Sequence, residues 1–182
     1  MNHFFITGLP RSRTAWFSNY LTFGSSFCWH DGFDGVEDFD GFKARMEYGK
    51  FESVGNSDPA NLIFWREISF WYPRAKWVVI RRPFEDIVES CSKFGVERPF
   101  LESCWDNLIA LENALDPLVV KFDELGFYGV REVADYLGIK VGLPSRTTQL
   151  CKMNIQVEHN YLRERIEANR SNPPRFLMEV LS

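Results

Sequence analysis

The sequence predicts an α/β fold of three layers, α/β/α, around a central parallel sheet. Short runs of strand character alternate with segments of helical periodicity from the first residues onward. The runs Phe4-Phe5-Ile6 and Trp77-Val78-Val79-Ile80 are apolar throughout, as strands covered on both faces are. Helical segments separate the strands, which is the connection that parallel pairing requires.

In chain order, residues 3–7 read as a buried strand that Gly8-Leu9-Pro10 breaks. A helix is predicted over 14–23, with Trp16, Tyr20 and Phe23 at i, i+4 and i+7. A short second strand follows over 26–29, then an amphipathic helix over 36–46 with Val36, Phe39, Phe42 and Met46 on one face. Residues 51–54 read as a third strand closed by Gly55-Asn56-Ser57. Asp58-Pro59 opens a helix running to about Trp71, with Asp as N-cap and Pro at the first helical position. The clearest central strand is 77–80, and helices are expected over 83–93 and 99–115. A fifth strand over 118–122 precedes a helix over 130–137 capped by Gly138. Beyond Leu143 the pattern weakens, apart from a helix over 157–169 and a break at Pro173-Pro174. With no linker, repeat or low-complexity run, residues 1–182 are expected to form one domain.

Composition narrows the functional classes. A formal net charge of −4 gives no general attraction to nucleic acid or to an anionic membrane, so neither is an expected partner and any anion site must be local. The 6 Trp and 17 Phe are expected to fill the core. Cys28, Cys91, Cys104 and Cys151 are widely spaced, without a C-x-x-C pair or histidines at zinc-ligand spacing, which points to free thiols in a reducing cytoplasm. The apolar stretch at residues 4–6 is too short for a signal peptide or a membrane span. A cytoplasmic location is expected.

Two segments carry the chemistry. Residues 5–16, Phe-Ile-Thr-Gly-Leu-Pro-Arg-Ser-Arg-Thr-Ala-Trp, make a strand, a tight loop and a helix start. At the carboxyl edge of a parallel sheet, the loop N–H groups and the helix N-terminus form a seat for phosphate. The ATP-binding pattern G-x-x-x-x-G-K-[ST] is not met, because Arg13, Thr14 and Ala15 stand in its last three columns. Ala15 has no oxygen with which to hold magnesium, and no metal is expected. In the second segment a buried strand ends in Arg81-Arg82, and Pro83 starts a helix bearing Ser90. Both segments should meet at one edge and suit a ligand with a phosphate at each end. Arg82, Glu85 and Asp86 read as surface and helix-end residues.

The first segment resembles the 5′-phosphosulfate loop of the sulfotransferases that use 3′-phosphoadenosine 5′-phosphosulfate (PAPS), P-[KR]-S-G-T-[TS]-W. Pro10, Arg11, Ser12, Thr14 and Trp16 match, Arg13 replaces the glycine, and Ala15 replaces a hydroxyl residue. The second resembles that family's 3′-phosphate region, R-[ND]-P-x-[DE] with a helical serine: Arg81 and Pro83 match. The serine column holds Glu89, with Ser90 one residue later, about 100° further round the helix. A third likeness runs from the strand at 118–122 through Asp123-Glu124-Leu125 to Gly138.

The resemblance implies a P-loop nucleoside triphosphate hydrolase-like scaffold that binds PAPS through residues 10–16, Arg81 and Ser90. It implies transfer of the sulfuryl group to a hydroxyl or amine of a small-molecule, glycan or peptide acceptor. Arg11 would neutralise charge near the bridging oxygen. A base from beyond the second strand would be His30, whose side-chain type titrates near neutrality, or Asp31, acting itself or orienting the ring. His3 and His159 are not favoured. The family's cofactor-closing G-x-x-G-x-x-K loop is missing from this sequence; Arg163, Arg165 and Arg170 are candidate substitutes or a solvated helix face. The chain is also shorter than most members, which implies trimmed acceptor-binding loops. Two alternatives stand beside this reading: a P-loop nucleotide or small-molecule kinase, and a non-catalytic binder of a phosphorylated ligand.

Overall fold

A computed structural model describes residues 1–153 and 155; the helix expected over 157–169, the Pro173-Pro174 break, His159, Arg163, Arg165 and Arg170 lie outside them. Five strands, β1 (Asn2–Thr7), β2 (Ser26–His30), β3 (Ser53–Ser57), β4 (Lys76–Arg81) and β5 (Leu118–Lys121), form one sheet in the order β2-β3-β1-β4-β5. Every pairing is parallel. The helices are α1 (Thr14–Leu21), α2 (Phe39–Met46), α3 (Trp65–Trp71), α4 (Phe84–Ser92), α5 (Arg98–Leu115), α6 (Phe127–Leu137) and α7 (Pro144–Cys151).

Alternation along the strands divides the core in two. Phe5, Val54, Trp77 and Val79 pack with Phe42 and Met46 of α2, Ile68 of α3, Ile87 of α4 and Leu108 of α5. Phe4, Ile6, Val78, Ile80 and Val120 point the other way, onto Trp16, Phe17 and Tyr20 of α1 and Val130 and Val133 of α6. The expected three layers are therefore present, because each strand has one apolar set per face and helices cover both. Buried polar side chains gather at the carboxyl ends of the strands, where Thr7, Ser12, Asn56, Ser57 and Asn61 are each 0% exposed.

Several boundaries differ from the sequence expectation, each for a physical reason. Asp38 accepts from Gly41 N at 2.8 Å, so α2 begins at Phe39, not at Val36. The third strand runs through the Gly55-Asn56-Ser57 that was expected to close it. Pairing with β1 on one side and β2 on the other satisfies its backbone despite weak strand propensity. Gly55 is needed there because a Cβ would overlap the Phe4 ring. Asp58 does cap, accepting from Ala60 N at 2.8 Å, but it caps a 3₁₀ turn at Pro59–Leu62 separate from α3. Asn61 in that turn is pinned to the sheet end by its own side chain.

The helix α7 was not expected. Arg146 docks it by donating to Tyr20 O, Val141 O and Asn19 O at 3.0, 2.9 and 3.2 Å, which satisfies carbonyls in the last turn of α1. All four cysteines are free thiols; burial pushes each one up, Cys104 to about 12. Among the described residues, no helix is long and apolar enough to cross a membrane.

Gly55→Ala should lower stability by about 1–3 kcal/mol, the usual cost of overpacking a core. Urea unfolding followed by circular dichroism would show the shifted midpoint, and an unchanged midpoint would mean that Phe4 can move aside.

Candidate functional site

Between β1 and α1 the chain turns tightly through residues 8–13. Gly8 opens the turn because a Cβ there would lie 2.6 Å from Ile80 O of β4. Arg11 and Arg13 both adopt left-handed backbone, at φ 71° and 62°. Such a conformation disfavours side-chain-bearing residues and turns backbone N–H groups toward one anion-binding concavity. At position 13, where the resembling family has glycine, the glycine-like conformation is kept although the residue is arginine.

The loop is held from several sides. Ser57 Oγ donates to Thr14 O at 2.8 Å, and Arg82 Nη1 donates to Arg11 O at 3.0 Å. Arg13 Nη1 donates to Leu125 O at 3.1 Å. Arg13 and Arg82 both lie over the Phe122 ring, at 5.1 and 4.7 Å from its centre. Arg11 lies 5.2 Å from the centre of Phe94, and its Nε reaches Ser90 Oγ at 3.4 Å. Ser12 is fully buried, and among the described residues neither its Oγ nor Arg82 Nε has a hydrogen-bond partner. Orphaned polar atoms at such a turn fit a loop that receives an anion.

Thus the two segments singled out in sequence do meet. Ser90, not Glu89, is the α4 side chain that reaches the loop, while Glu89 is exposed. Arg81 ends β4 beside Arg82 but is turned to α5, where Nε donates to Glu112 Oε1 at 3.2 Å and Nη2 pairs with Oε2. Arg82, Glu112, Phe94 and Phe122 were not among the sequence candidates. Trp16 lies below the loop, 3% exposed, stacked on Tyr20 and donating Nε1–H to Leu150 O at 2.9 Å. The Ala15 side chain has no polar atom, and its carbonyl accepts from Ser18 Oγ and Asn19 Nδ2.

His30 ends β2 at the level of Ser57 and Ile6, at the same carboxyl edge as the loop but with β3 between. At the usual strand spacing, roughly 10 Å separates β2 from β1. Its Nδ1 is 3.3 Å from Asp31 Oδ2, and the two side chains are 23% and 19% exposed. Asp31 has φ 55°, so the chain turns sharply there. Asn56 Oδ1 accepts from Gly32 N at 3.0 Å, and Asn56 Nδ2 donates to Asn61 Oδ1 at 2.8 Å. Asn61 Nδ2 then donates to Ile6 O at 3.0 Å and Asn56 O at 3.1 Å. This buried amide network ties the His30-Asp31 turn to the strand that feeds the loop. Among the described residues, no group of three or more His, Cys, Asp or Glu side chains is arranged to hold a metal ion.

This architecture is similar to a crystal structure of a sulfotransferase from Alicyclobacillus acidocaldarius, with a TM-score of 0.62 over 94% of this chain and 92% of that one. The likeness is one of fold. The two chains are 14% identical. No family model matches the sequence, and no curated protein matches it. The sulfotransferase-like fold puts residues 8–13, Arg81, Ser90 and the His30-Asp31 turn at one carboxyl edge, where open parallel sheets bind ligands.

Asn61→Ala should destabilise the chain by about 1–3 kcal/mol for each buried partner left unsatisfied. Chemical denaturation should also show Asn56→Ala and Asn61→Ala to be less than additive, because the pair shares one network; full additivity would separate the turn from the loop.

Proposed function

We propose that this protein is a sulfotransferase that takes the sulfuryl group from PAPS and passes it to a hydroxyl or amine of an acceptor. The observation that carries the reading is the meeting of the two anion segments: Arg82 holds the loop carbonyl of Arg11, and Arg11 reaches Ser90. A left-handed turn lined by arginines, next to a second arginine at the end of the neighbouring strand, suits a nucleotide phosphorylated at both ends.

In this reading residues 10–16 receive the 5′-phosphosulfate. The turn's N–H groups and Thr14 face it, and Trp16 fixes α1 from below. Arg81 and Ser90 receive the ribose 3′-phosphate. When bound, PAPS supplies an activated sulfuryl group with a good phosphate leaving group. Arg11 stabilises the negative charge that gathers on the leaving oxygen, the usual part of an arginine in such transfers. The acceptor lies toward β2, where His30 takes its proton. Asp31 beside Nδ1 favours the tautomer with the proton on Nδ1, so Nε2 presents the lone pair.

The kinase alternative lacks the hydroxyl that would hold magnesium, since Ala15 fills that position. The binder alternative predicts affinity without turnover.

Thermal shift measurements should separate these readings. At a hundredfold excess over Kd, adenosine 3′,5′-bisphosphate should add about 2.7 kcal/mol of stability, or roughly 5–10 °C in Tm for a chain of this size. A larger response to magnesium-ATP would overturn the proposal. Arg81→Ala should weaken the bisphosphate at least about tenfold, as expected for loss of a charge-assisted contact, while changing adenosine 5′-phosphate little. Transfer of labelled sulfate to an acceptor panel should fall by about 10²–10⁴ in His30→Ala, the range for losing a general base. Binding without transfer to any acceptor would leave only the binder.

A further inference from the structure

Two residues of the loop between β1 and α1 hold a backbone conformation that their side chains oppose. Arg11 has φ 71° and Arg13 has φ 62°. In this left-handed region the Cβ of an L-residue crowds the carbonyl oxygen that follows it, whereas glycine enters it freely. Such a conformation persists where the surroundings over-determine it. At Arg13 the helix supplies the constraint. Its carbonyl accepts from Phe17 N at 3.1 Å, which starts the hydrogen bonding of α1, and its Nη1 is tied to Leu125 O.

Arg11 lies outside the helix, and its carbonyl accepts instead from Arg82 Nη1 at 3.0 Å, from 71 positions away in sequence. Arg82 directly follows the last residue of β4. Its guanidinium carbon lies 4.7 Å from the centre of the Phe122 ring, on which Arg13 also rests. The donor is therefore held at its root by the strand and at its head by the ring. Arg81 beside it is turned to Glu112 of α5, so the two adjacent arginines have different partners.

The peptide group that Arg82 grips joins Arg11 to Ser12. A peptide is planar, and in the trans form its C=O and N–H point in opposite directions. Holding the Arg11 carbonyl toward Arg82 therefore fixes the Ser12 N–H on the other side of the turn.

Resting on the reading that residues 10–16 receive the donor's 5′-phosphosulfate, we infer that Arg82 is a positioning residue for that seat. It acts through the backbone of Arg11, keeping the Arg11–Ser12 peptide in the left-handed turn before any anion arrives. It does for residue 11 what the freedom of a glycine would do.

Calorimetric titration of the full chain with adenosine 3′,5′-bisphosphate and adenosine 5′-phosphate tests this. Arg82→Met keeps a long stem against Phe122 and removes every donor. It should weaken both nucleotides by the same factor, about tenfold, which corresponds to the cost of left-handed backbone in a residue with a Cβ. Arg82→Lys, which keeps a donor on a long stem, should recover most of the wild-type affinity. Two backgrounds separate positioning from direct contact, since both lack the Arg11 guanidinium and differ in backbone freedom. In Arg11→Ala the loss caused by Arg82→Met should stay at about tenfold. In Arg11→Gly it should shrink to about twofold or less, because glycine takes the turn unaided. Equal losses in the alanine and glycine backgrounds would mean that Arg82 acts on the ligand directly, and would overturn the inference. A loss confined to the bisphosphate, or no loss at all, would overturn it too. Arg82→Gln, whose side chain is shorter, replaces the methionine variant if that one does not fold. If the wild-type chain binds neither nucleotide, the phosphosulfate reading itself fails, and the inference fails with it.

Discussion

The backbone of Gly8 passes so close to the carbonyl of Ile80 that no side chain fits between them. That contact brings the first turn of the chain against the end of β4, and the candidate site follows from it. Only with the strands this close can Arg82 reach the carbonyl of Arg11 and Arg11 reach α4. The parallel sheet supplies the rest of the geometry, since every strand delivers its last residue to the same edge. Polar side chains are concentrated there because that edge has backbone groups to satisfy.

Charge at this edge is arranged against the overall balance of an acidic chain. Aromatic faces do much of the orienting: Phe94 lies beside Arg11, Phe122 beside Arg13 and Arg82, and Trp105 beside Arg81. A ring face attracts a guanidinium without cancelling its charge, which a carboxylate would do. Arg81 has both kinds of neighbour, the Trp105 ring and the Glu112 carboxylate.

What the sequence revealed was local. The unbroken apolar runs of β1 and β4, the cap at Asp58 and the left-handed Gly138 at the end of α6 depend on neighbours within a few residues. The loop and Arg81 were legible because a strand end followed by a turn and a helix is itself a local pattern. What escaped depended on distant partners. Gly55-Asn56-Ser57 is a strand because β1 and β2 pair with it on either side. The helix α7 has little apolar periodicity of its own and is held by Trp16 and Arg146. Glu112 looks in sequence like any carboxylate on a long helix, and only the packing of α5 against the sheet brings it to Arg81.

The shared ring of Phe122 has one further consequence. It sits just after β5, far in sequence from both arginines that it supports, yet Arg13 and Arg82 rest on it together. A change at this one position would remove the face on which two cations rest and alter the surroundings of both at once. Positions 13, 82 and 122 therefore form an epistatic set, in which a replacement tolerated at one depends on what occupies the other two.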